Sequence, residues 1–167
     1  MSARPDVQVA LLLRMLDEAF DRKAWHGPNL RGSIRGLDAV RASWRPAPGR
    51  HNIWEIVVHA AYWKYAVRRR LTGEKRGSFA LAGSNWFKRP ASASDDWLAD
   101  VALLQEEHGR LRQVVASLRD RDLTRAVAGG SQAKGTLVYG VAAHDVYHAG
   151  QVQLLKRLGP PSRARPE

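Results

Sequence analysis

The 167 residues include no cysteine, which excludes disulfides, cysteine-bound zinc and a cysteine nucleophile, and leaves His, Asp and Glu to build any metal site. With 44% hydrophobic and 26% charged residues the chain reads as globular, and no apolar run approaches the roughly 18 residues of a membrane span. The formal charge of +11 raises nucleic acid as a partner, but the arginines are scattered over helix ends, loops and the tail, which suits a solvated surface or an anionic small molecule better.

The length suits a single domain over 1–167, with 159–167 as a tail, and no repeat or linker divides it. The start leads into an amphipathic segment rather than an apolar signal core, so a cytoplasmic protein with no membrane association is expected. A first helix is predicted from Pro5 to Lys23, with Val9, Leu12, Leu13, Leu16 and Phe20 on its apolar face. Trp25-His26-Gly27-Pro28 ends it. The chain to Arg50 then reads as irregular, with room for one or two helical turns between Leu30 and Ala42.

The second helix opens on a capping box, Asn52-Ile53-Trp54-Glu55, and runs to Leu71 before Thr72-Gly73. Ile56, His59, Ala60, Trp63 and Val67 form its inward stripe, and the same periodicity puts Lys64 and Arg68 on the opposite side. Gly73 to Ser94 lacks periodicity, and a loop of that length is typically functional or a crossover. Its Phe79, Leu81, Trp86 and Phe87 should pack onto the helices. A third helix starts at Ser94 or Asp95, carries Trp97, Val101, Leu104, His108, Leu111, Val115 and Leu118 inward, and gives way to Arg119-Asp120-Arg121-Asp122. The fourth begins at Gly135-Thr136 and stops at Gly159-Pro160-Pro161. These four helices predict an all-α four-helix bundle, up-down-down-up, with the long connection crossing between helices two and three.

His144 and His148 lie one turn apart on the inner face of the fourth helix, and His59 is the one histidine within the second. Three imidazoles leave a coordination position open for water or substrate, and imidazole suits several divalent ions, with zinc and nickel favoured here. A hydrogen-bonded core histidine is the competing explanation for each residue taken alone. His108 suits a core histidine, a fourth ligand or a base beside the metal. His26 either lines the mouth of the site or merely ends a helix, and His51 is expected to face solvent. Gln151, one turn past His148, suits orienting its ring or touching substrate, whereas Glu55 is already explained by its cap. Tyr62, Trp63 and Tyr147 are candidate pocket walls. Gly140 and Gly150 should mark a close helix approach or room beside the metal.

The stretch His51-Asn52-Ile53-Trp54-Glu55-Ile56-Val57-Val58-His59, followed by Ala60-Ala61-Tyr62-Trp63, resembles the second helix of the DinB/YfiT-like family. His144-Asp145-Val146-Tyr147-His148-Ala149-Gly150-Gln151 is similar to that family's fourth-helix motif. The resemblance implies a four-helix bundle, frequently a homodimer, that binds a divalent metal through the residues matching His59, His144 and His148. It further implies a thiol-dependent transferase or isomerase, in which the metal favours the thiolate of a low-molecular-weight thiol for attack on an electrophilic small-molecule substrate. A metal-dependent hydrolase using an activated water is the alternative, as is a nucleic-acid or partner-binding protein whose metal is structural.

Overall fold

The computed structural model describes residues 6–89 and 94–160. Among the described residues are six α-helices and no strand. They are α1 (Val7–Phe20), α2 (Leu30–Ile34), α3 (Ala39–Ser43), α4 (Ile53–Thr72), α5 (Ser94–Ala116) and α6 (Lys134–Leu158), with a 3-10 turn at Asp120–Asp122. The four long ones are the helices read from the sequence, so the fold is an all-α bundle. None is long and apolar enough to cross a membrane. The expected start at Pro5, the loop proline Pro90 and residues 161–167 of the expected tail lie outside the described residues.

α4 forms where its sequence says it should. The Asn52 side chain accepts from Glu55 N at 2.8 Å, and the Glu55 carboxylate accepts in return from Asn52 N at 3.4 Å. The helix closes at Gly73, whose φ of 80° is a left-handed conformation that costs glycine little. What the periodicity does not reveal is that α4 is buried on nearly every face. Lys64 is 0% exposed and Arg68 is 8% exposed, which corrects the expectation that both look away from the core. The reason is neutralisation by partners distant in sequence. Lys64 Nζ meets the Asp145 carboxylate of α6, and Arg68 meets Glu107 of α5 and Glu74.

The order of contacts along the helices positions the rest. Trp54 donates to Asp100 at 2.6 Å near the starts of α4 and α5, while Arg68 and Glu107 meet farther along both. Contacts that advance in step are the order expected of parallel neighbours. Against α6 the order reverses. Ile56 and Ala60 share a core with Ala149 and Val152, whereas Val67 and Leu71 pack with Leu137, Val138 and Val141. The crossover loop closes over the first of these cores through Phe79, Leu81, Trp86 and Phe87, as expected.

The first connection condenses into α2 and α3, capped by Asn29 onto Gly32 N and by Asp38 onto Arg41 N, both at 2.8 Å. Two helix ends differ from expectation. α1 stops at Phe20 rather than Lys23, because Asp21 N and Arg22 N both close onto Asp17 O and Asn29 takes the Arg22 carbonyl. α5 stops at Ala116, where Ser117 Oγ donates back to Val114 O and the chain tightens towards the 3-10 turn. That turn serves α1. The Asp120 carboxylate accepts from Gln8 N at 3.2 Å and Val9 N at 2.9 Å, satisfying first-turn donors that α1 does not cap itself.

Candidate metal centre

α4 and α6 bring His59, His144 and His148 together, with their ligand atoms all within 4.8 Å of one another. His144 Nε2 is 3.1 Å from His59 Nε2 and 3.0 Å from His148 Nε2. The outer nitrogens of the flanking rings are spoken for. His59 Nδ1 donates to the Asn85 carbonyl at 2.8 Å, and His148 Nδ1 donates to Gln151 Oε1 at 2.7 Å, whose amide in turn donates to Tyr147 OH at 3.0 Å. A carbonyl oxygen only accepts, so both rings carry their proton on Nδ1 and point an Nε2 lone pair inward.

His144 cannot satisfy both lone pairs with one proton, and its own buried Nδ1 finds no partner among the described residues. A further proton is disfavoured. Burial, with the neighbouring imidazoles, pushes His144 down to about 3, and burial pushes His59 down to about 4. His148 is lowered for the same reason, against its bond to Gln151. Three neutral imidazoles converging on one point are the donor set a divalent cation takes, so the residues present fit a metal ion.

Aromatic rings wall the cluster. Trp86 stacks on His59 at 3.8 Å, and its far face is covered by His51 at 3.6 Å. His51 is therefore exposed yet engaged, with Nδ1 also 3.0 Å from Glu55. Trp63 stands edge-on to His59 and His144, at 6.3 Å from each. Its indole N–H donates to the Asn85 side chain at 3.0 Å, so Asn85 holds a ligand ring with its backbone and a wall with its side chain. Asn85 has a φ of 64°, a conformation asparagine tolerates better than most residues.

Of the other sequence candidates, Gln151 joins the site as the partner of His148. His108 does not. Its ring stacks on Phe20 at 3.8 Å, and burial followed by the charges of Lys64 and Arg112 pushes it down to about 3. His26 is exposed and lines a separate groove on the outer side of α6 with Val146, Gly150 and Gln153. Glu55 is held by Arg45, His51 and its own cap. Among the described residues an added Cβ at Gly140 or Gly150 would meet nothing within 4 Å, so neither marks a close approach, and nothing among those residues explains these glycines. Sequence reasoning missed Asn85, and it expected Trp86 to pack onto the helices without placing it on His59, because both sit in a loop with no periodic signal. It also missed Asp145, whose place inside the His144–His148 motif was the one available hint.

No curated protein and no solved structure matches the chain. Residues 22–152 match the family model described as the DinB superfamily, and that span contains all three histidines and the loop that holds them. A match over that much of an all-α bundle settles its kinship: the chain belongs to the DinB superfamily.

Proposed function

We propose that the protein is a metal-dependent enzyme in which His59, His144 and His148 hold one divalent ion, zinc or nickel first, and that it catalyses transfer to a low-molecular-weight thiol. The observation that carries this is the convergence of three Nε2 atoms with no proton arrangement that satisfies them all. When bound, the ion supplies Lewis acidity, which deprotonates a coordinated thiol at neutral pH. The chain does the positioning. Asn85 and Gln151 orient two imidazoles, and Trp86 covers the face of one of them. With no cysteine in the chain, the thiol is brought by a small molecule.

Nucleic acid is not the favoured partner. Arg45, Arg68, Arg89, Arg110 and Arg112 are already engaged by carboxylates, which thins the field a phosphate backbone would read. We read the chain as one domain that pairs into a homodimer, supported by Tyr139, Val146, Leu154 and Leu158 standing exposed along α6.

A thermal-shift matrix of divalent metals against small thiols tests the enzyme reading, because binding to the native state raises apparent stability. Stabilisation by a metal, with a further rise on adding a thiol only when metal is present, is the expected pattern. Metal binding with no thiol response, accompanied by thiol-independent turnover of an ester or amide, overturns the transferase in favour of a hydrolase.

A further inference from the structure

We propose that the cavity between the second half of α4 and the crossover loop binds an organic anion with an aromatic or apolar body. It is a half-open cleft of about 550 Å³, the size of a small-ligand pocket. Tyr62, Tyr65 and Arg69 line it from one face of α4, and Arg70 joins them a residue on. Arg76 and Phe79 line it from the loop.

The charge is unbalanced at this place. Among the described residues no Asp or Glu lines the cavity, and none of Arg69, Arg70 and Arg76 forms an ion pair with a carboxylate. Their neighbour Arg68 takes both nearby acids, Glu74 and Glu107, leaving Arg69 only the Glu74 carbonyl at 3.2 Å. Arg69 and Arg70 suit the negative end of a helix dipole, but Arg76 is in the loop, where the dipole gives no reason for it. Aromatic rings share both walls with the arginines: Phe79 of the loop packs 5.4 Å from Tyr62 and 5.3 Å from Tyr65 of α4. The cavity is also preformed, because the Tyr65 hydroxyl accepts from Gly77 N and Ser78 N and so pins the loop. Guanidinium groups facing a ring-lined space are a recognition set for a carboxylate or phosphate on an apolar body.

Trp63 lines this cavity and also stands against His59 and His144. An anion seated on the arginines therefore extends towards the histidines past one indole, which makes it the substrate class of the reaction proposed above. That last step rests on the metal reading; binding of the anion does not.

Calorimetric titration of the metal-free protein with 4-phenylbutyrate and phenyl phosphate tests the site, with neutral 4-phenylbutyramide as the control. Both anions should bind, and the amide should bind at least about tenfold more weakly. Arg76→Gln should weaken the anions by about tenfold, while Arg157→Gln, which removes the same charge from the outer groove of α6, leaves them unchanged. Equal binding of amide and anions, no binding of either anion, or an equal loss in Arg157→Gln overturns the proposal. A chain that binds no metal still gives a readable titration, so the two readings fail separately.

Discussion

Asn85 shows how one residue outside the motifs sets the orientation of a motif histidine. Its carbonyl receives the His59 proton only while the backbone holds a φ of 64°, a region that β-branched side chains avoid. Asn85→Gly should keep metal affinity within a few-fold, whereas Asn85→Val should lower it by about tenfold, the scale of lost support behind a ligand. Chelator competition measures both, and an Asn85→Val protein with unchanged affinity would show that the carbonyl does not hold the ring. His108 makes a different prediction. Its pKa is about 3 in the folded chain against 6.5 for an ordinary imidazole, so the unfolded state takes the proton first as pH falls. Its contribution is complete above about pH 6.5 and is lost as pH drops towards 3. Lys64 from α4 and Arg112 on its own helix deepen the shift, while Phe20 of α1 covers the ring. The urea midpoint of His108→Leu should therefore fall less than that of the parent between pH 7 and 5; an identical fall removes His108 from the account.

At the scale of elements, α4 carries both what the sequence revealed and what it hid. Its start, its stop and His59 on the inner side were all legible, because a capping box, a terminal glycine and helical spacing are local signals. Lys64 and Arg68 were not, since periodicity counts charge as exposure and their partners lie 81 and 39 residues away. Asn85, and the place of Trp86 against His59, were hidden for the related reason that loop residues acquire their roles only once the loop has folded over α4. The same logic gives a stability prediction. Lys64→Met strands a carboxylate that is fully buried and should cost about 3–5 kcal/mol. Lys64→Met with Asp145→Leu should recover most of that loss in urea unfolding, and a double variant no better than the single would mean that the pair is not acting as a unit.

The whole molecule is organised so that two helices far apart in sequence present three imidazoles to one point, with a crossover loop as their clamp. The bundle brings His59 within reach of residues 85 and 89 positions later, and the loop supplies the Asn85 carbonyl and the Trp86 ring. Family membership and an all-α architecture are consistent with that arrangement, but the arrangement itself is what the chemistry depends on. Its most direct test is metal content after reconstitution and desalting, on protein purified without an affinity tag. The parent chain should hold about one divalent ion, and His148→Ala should hold none while its far-ultraviolet dichroism stays helical. Full occupancy in His148→Ala, or less than about a tenth of an equivalent in the parent, would contradict the three-histidine centre.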